Sequence, residues 1–132
     1  MNLIRAMISV VAVLLFIAGC ALGSSEGKAI SGQVVKVIDG DSLRITGVAP
    51  DIRLWGLDAP EWNEQGGAAA TAALRGLSLH RYVECDHMDT DKYNRFVGRC
   101  TLEDGRDLAA EMIAAGVSAE YCWFSKGYYG TC

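Results

Sequence analysis

Five carboxylates and two arginines, carried in three short stretches, hold the chemistry this chain could do. The first stretch is Asp39-Gly40-Asp41-Ser42. The second is Arg53-Leu54-Trp55-Gly56-Leu57-Asp58-Ala59-Pro60-Glu61, and the third is Thr90-Asp91-Lys92-Tyr93-Asn94-Arg95. Asp39-Gly40 lies between two β-branched, partly alternating segments, Gln33 to Ile38 and Ser42 to Thr46, and so reads as a hairpin turn. Pro60 cannot continue a ladder, so it ends a third strand running from Asp51 to Leu57. If these strands pair in order, Asp41 and Asp58 approach each other, and two unpaired carboxylates in contact repel. A hard cation that takes oxygen ligands, such as Ca²⁺, would resolve that repulsion. An Asp-Gly considered alone is usually only a turn. What points further is the sequel of Arg53, Glu61 and the Asp91 to Arg95 stretch.

The elements that must position these groups can be read in order. Strands over Ile30 to Ile38, Ser42 to Thr46 and Asp51 to Leu57 would form a meander, followed by a loop from Trp62 to Gly67. Ala68 to His80 is rich in helix formers, with Ala70, Ala73, Leu74 and Leu77 on one face and Gly76 weakening it. Arg81 to Asp86 and Phe96 to Leu102 read as strands four and five. Asp107 is a good N-cap for a second helix, Leu108 to Ala115, closed by Gly116, with Leu108, Met112 and Ala115 on its buried face. Val117 to Tyr121 reads as extended, and Trp123 to Cys132 as an ordered loop. The pattern is α+β, mainly β. It is compatible with a five-stranded barrel of the oligonucleotide-binding type with two packed helices. Periodicity alone does not select that over other α+β folds.

The 132 residues suffice for one small domain. Met1 to Gly19 carries a single charge, Arg5, before an apolar run from Ala6 to Ala18, the pattern of a secretory leader. Ile17-Ala18-Gly19-Cys20 resembles a bacterial lipobox, which would make Cys20 the lipidated first residue of the mature chain. The plainer alternative is an ordinary leader cut after Gly23 or Ser25. On the first reading residues 20–29 form a tether and residues 30–132 the domain, exported and held at the cell envelope or secreted. Without the leader the chain has 11 basic and 16 acidic residues, a net charge of −5. That excludes a basic coat for a polyanion, so any attraction must be local or mediated by a cation.

Five cysteines are an odd number for an oxidising compartment, and lipidation of Cys20 would leave an even four. Cys85 and Cys100 lie symmetrically about Lys92-Tyr93, as partners across a hairpin would. Closing that loop is worth roughly 3 kcal/mol in the chain-entropy model. Cys122 and Cys132 would then staple the C-terminal loop. The other two pairings, or a zinc site with His80 or His87, stay open at this point, although no C-x-x-C spacing occurs.

Taken together, Asp39-Gly40-Asp41-Ser42, Arg53 with Asp58-Ala59-Pro60-Glu61, and Thr90 to Arg95 resemble the staphylococcal nuclease (thermonuclease) family. The likeness runs from about Gln33 to Tyr121. It implies an oligonucleotide-binding barrel and Ca²⁺-dependent hydrolysis of DNA and RNA phosphodiesters. By this resemblance Asp41 and Asp58 are the carboxylate ligands of Ca²⁺, and Ala59 lends its backbone carbonyl. Glu61 activates or orients the attacking water, Arg53 and Arg95 clamp the phosphate, and Asp39 supports the ligands from behind. Lys92 and Tyr93 contact a phosphate or nucleoside at the cleft rim. The chemistry suits these types. Charge gathers on the phosphoryl oxygens in the transition state, and guanidiniums with a divalent cation neutralise it. The planar fork of arginine also matches two such oxygens and keeps its proton.

Three features depart from the family prototype: a short loop after Glu61, no long C-terminal helix, and an acidic net charge. Two further readings stand beside a monomeric nuclease. One is a catalytically weak envelope barrel that binds nucleic acid or protein, and the other a structural Ca²⁺-binding lipoprotein. Convergence of Arg53, Arg95, Lys92 and Arg44 on one face would favour the nuclease, and scatter the others.

Overall fold

The computed structural model describes residues 28–132. The leader, Cys20 and nearly all of the tether lie outside that range.

Alternation in the first three strands places one side of each on a common interior. Strand β1 (Ile30–Asp39) buries Val34 and Val37, β2 (Ser42–Ile45) buries Leu43 and Ile45, and β3 (Ile52–Leu54) buries Ile52 and Leu54. Strands β5 (Tyr82–Thr90) and β6 (Phe96–Leu102) add Val83, Cys85, Cys100 and Leu102 to the same core. The five close into a barrel in the order β1-β2-β3-β6-β5. Closure leaves no strand edge exposed and is the architecture expected of an oligonucleotide-binding fold. The closing contact is a parallel pairing of β3 with β6, in which Arg53 faces Val97 and Leu54 faces Gly98.

Helix α1 (Gly67–Ser78) packs on β1, burying Ala70 and Leu74 with Ala73 and Leu77 partly covered, the stripe expected from spacing. Helix α2 (Leu108–Ala114) buries Leu108, Ala109 and Met112. The Asp107 carboxylate caps it by accepting from the N–H groups of Ala109 and Ala110. Ala115, expected on the buried face, is exposed at the C-cap because Gly116 with φ 71° turns the chain away there.

The third strand differs from the sequence reading. It breaks after Leu54 and resumes as β4 (Leu57–Asp58), which pairs with β7 (Ala119–Glu120) in a separate two-stranded sheet. The break lies at Gly56. Its φ of 71° favours glycine, and an added Cβ would lie 3.0 Å from the Tyr129 ring. The C-terminal segment, expected as a loop, opens with a short helix α3 (Cys122–Ser125).

Cys85 pairs with Cys100 and Cys122 with Cys132. Cys85 and Cys100 are register partners across β5 and β6, which brings their Cα atoms to 4.0 Å. The other pairings and the zinc alternative fall away.

Candidate active site

Strand register gathers the first charged groups. The hairpin between β1 and β2 turns through Gly40-Asp41, with Asp39 facing Ser42. Ser42 in turn faces Arg53 on β3. An N–H of the Arg53 guanidinium therefore reaches Asp41 at 3.2 Å, and a second donates to the Leu57 carbonyl at 3.3 Å. Asp41 is buried, at 6 % exposure, and accepts from the Ser42 hydroxyl at 2.9 Å. Its own N–H donates to the Asp39 carboxylate at 3.1 Å, across the turn. Burial pushes the Asp41 carboxyl up to about 6, with Asp39 adding to the shift and Arg53 opposing it.

The β5–β6 hairpin brings the rest. Asp91 accepts from the N–H groups of Tyr93 and Arg95 and from Arg95 Nε at 2.7 Å. Desolvation works against ionisation of Asp91, but these bonds outweigh it and hold the carboxyl below its usual range. Fixed in this way, Arg95 reaches back to the Ser42 hydroxyl at 3.5 Å, and its guanidinium lies 5.5 Å from the Tyr93 ring. Ser42 thus stands between the two arginines.

Arg53, Lys92, Tyr93 and Arg95 line one open cleft of about 550 Å³. Its other wall is aromatic and apolar: Trp55, Leu57, Tyr121 and Phe124. Of the four cations whose convergence was at issue, three meet there. Arg44 does not line it and instead pairs with Asp51 at 2.7 Å.

Asp58, Ala59 and Glu61 are placed differently. Asp58 and Ala59 line a second cavity of about 500 Å³ with Glu64 and Ser118. Glu61 is exposed on the loop before α1, where its N–H donates to the Glu64 carboxylate. The Asp39–Asp41 turn nevertheless packs closely on this segment, since a Cβ on Gly40 would stand 2.9 Å from the Ala59 Cβ and 2.6 Å from that of Ala70. Among the described residues, no three or more of His, Cys, Asp and Glu gather as a metal-holding group. The oxygens of Asp41, Asp58 and the Ala59 carbonyl are hard donors of the kind Ca²⁺ takes, but Asp41 does not line the cavity that Asp58 and Ala59 share. The buried Asp41, with its raised proton affinity and a single guanidinium for a partner, is a carboxylate a cation would relieve.

Sequence reasoning missed the aromatic wall. Trp55 sat inside the motif as an unassigned residue, and Tyr121 and Phe124 stood only as parts of an extended stretch and a loop. The density of aromatic residues from Tyr121 to Tyr129 was the available signal, but nothing in one dimension said which way they face.

The profile of the family described as "Staphylococcal nuclease homologue" matches residues 51–129. That interval contains Arg53, Asp58, Ala59, Glu61, Lys92, Tyr93 and Arg95, while Asp39 and Asp41 precede it. The chain is 32% identical over 94 residues to an "Uncharacterized endonuclease" of Escherichia coli O157:H7, covering 70% of this chain and 61% of that protein. It is 34% identical over 119 residues to "Succinoglycan biosynthesis protein ExoI" of Rhizobium meliloti (strain 1021), covering 82% and 61%. Against the "Micrococcal nuclease" of Shigella flexneri it is 32% identical over 69 residues, covering 51% and 40%. The chain thus spans less than two thirds of the length of each of these relatives. With a profile match over the C-terminal part of the barrel, the cleft and its aromatic wall, this chain belongs to the staphylococcal nuclease homologue family.

Proposed function

We propose that this protein hydrolyses phosphodiester bonds of DNA and RNA with Ca²⁺. The observation that carries the reading is the meeting of Arg53 and Arg95 in one cleft, each within reach of Ser42 or its neighbour Asp41. Two preorganised guanidiniums, one held by Asp41 and the other by Asp91, bind a phosphate without the cost of ordering them first. Lys92 and Tyr93 extend that contact at the rim. Tyr121 and Phe124 offer ring faces to unpaired bases, a contact indifferent to sequence. Glu61, exposed on the loop before α1, takes the proton from the attacking water. Asp41, Asp58 and the Ala59 carbonyl would hold Ca²⁺. Bound there, the ion would supply positive charge for the phosphoryl oxygens that the arginines alone leave partly uncompensated.

The leader and the lipobox-like Ile17 to Cys20 support an exported protein held at the envelope through Cys20, or secreted, and acting as a monomer. The acidic net charge and Asp89 at the cleft rim favour a second reading, a barrel that binds nucleic acid or protein and cleaves slowly. One experiment separates the two. Single-stranded DNA and RNA are incubated with the oxidised protein in Ca²⁺ and in chelator, beside Glu61→Ala. Ca²⁺-dependent cleavage that collapses in the variant is expected; no cleavage by the folded protein would leave only the binding barrel.

A further inference from the structure

Glu120 is a buried carboxylate that the proposed chemistry does not use. It is 7 % exposed and lies on β7, paired with Leu57 of β4. An unpaired carboxylate at such a place would be costly, and this one is fully occupied. It accepts from the Ser125 hydroxyl, from the N–H of Tyr129 at 2.9 Å, and from the N–H and hydroxyl of Thr131 at 2.8 and 2.7 Å. Every donor belongs to the C-terminal segment, and Ser125 ends the short helix α3 that carries Phe124. On the other side, the Tyr121 N–H donates to the Gly56 carbonyl at 2.8 Å. The two rings of the cleft wall, Tyr121 and Phe124, meet edge to face at 4.8 Å, and the residues are 38% and 46% exposed. Burial that partial leaves the placing of the rings to the backbone that carries them. Their backbone must be held for them, and Glu120 is the charged group that gathers it.

We propose that Glu120 is a positioning residue that sets the aromatic wall of the cleft, Tyr121 and Phe124, for contact with substrate bases. The inference rests on the reading that the cleft takes nucleic acid. A carboxylate suits the role because it accepts at both oxygens and donates at neither. Glutamine would turn an NH₂ toward either the Ser125 and Tyr129 donors or the two Thr131 donors, breaking one half of the cluster while preserving size. The Cys122–Cys132 disulfide bounds the same loop but does not fix its interior.

The test is equilibrium binding, in chelator so that no strand is cut, of a fluorescent single-stranded DNA oligonucleotide and of an abasic oligonucleotide of equal length. The wild-type protein binds the base-bearing strand more tightly. Glu120→Gln is expected to lose about tenfold of that preference, the scale of one base–aromatic stack, while its affinity for the abasic strand stays within about twofold. Thr131→Val, which removes one hydroxyl donor, should move the ratio the same way by a smaller factor. It serves in place of Glu120→Gln if that variant lacks native near-ultraviolet circular dichroism. An unchanged ratio in the folded variants, a parallel loss for both strands, or a wild-type protein without base preference would each overturn the proposal. Base preference with no cleavage once Ca²⁺ is added would sink the nuclease reading and leave the role of Glu120 standing.

Discussion

Arg53 Nη1 lies 3.2 Å from Asp41 Oδ2, so a group proposed to clamp phosphate is also the counter-charge of a group proposed to bind Ca²⁺. The pair joins the two halves of the site through one contact. It also makes Asp41 a liability when no cation is present, since burial lifts its carboxyl from 3.8 to about 6 despite Arg53.

That liability has a definite sign. A folded-state value above the unfolded one makes this group's contribution most favourable below pH 3.8 and erodes it as pH rises toward 6. In chelator, Asp41→Asn should therefore gain stability relative to wild type as pH climbs from about 4 to 7, by about 2 kcal/mol at the top. Thermal midpoints of the two proteins across that range check it. Adding Ca²⁺ should raise the wild-type midpoint at pH 7 and leave the variant unmoved.

Glu61 should behave in the opposite manner. Its side chain is exposed and makes no hydrogen bond among the described residues, so Glu61→Gln should leave the stability within about 0.5 kcal/mol of wild type. Its kcat on single-stranded DNA should fall by roughly a hundredfold or more, the usual range for losing a general base. A variant of near wild-type kcat would remove Glu61 from the mechanism.

Two glycines of α1 give a matched pair. A Cβ on Gly67 would overlap the Glu61 carbonyl and crowd Trp62, so Gly67→Ala must displace the segment that carries Glu61. A Cβ on Gly76 meets nothing within 4 Å. Gly76→Ala should stabilise by about 0.5–1 kcal/mol and leave turnover alone. Gly67→Ala should lower kcat about tenfold, as a small misplacement of a reacting group does. Urea unfolding alongside kcat for both variants provides the check.

Asp107 connects the second helix to the C-terminal loop. Its carboxylate caps α2 and also accepts from the Tyr129 hydroxyl at 3.0 Å. Burial and the neighbouring Asp107 carboxylate both push the Tyr129 phenol up, so it stays a donor at any working pH. Asp107→Ala should cost about 2–3 kcal/mol, losing the cap and the acceptor for the Tyr129 hydroxyl together. Tyr129→Phe leaves the cap in place and should cost about 1 kcal/mol. Denaturant midpoints of the two variants separate the contributions.

Local chemistry was sufficient for much of this protein. Alternation in Gln33 to Ile38 and Ser42 to Thr46, the Asp39-Gly40 turn, the alanine-rich stripe around Ala70 and Leu74, and Asp107 before Leu108 each act over a few residues. Their elements formed where those signals lie. The residue types at Arg53, Asp91 and Arg95 likewise announced anion chemistry before any contact was known. Pairing across distance was a different matter. The parallel contact of β3 with β6 is set by barrel closure, and it alone brings Arg53 and Arg95 to one mouth. The break of the third strand needed both the left-handed backbone of Gly56 and the Tyr129 ring that arrives from the far end of the chain. Glu120 and the wall of Tyr121 and Phe124 read as unremarkable in sequence, because a carboxylate's burial and a ring's direction are decided by what packs on them. Residue type and short-range periodicity thus determined the elements and the chemistry available. Tertiary structure decided which groups share a cleft, because a side chain's partners across a closed barrel are fixed by register and closure rather than by its neighbours in the chain.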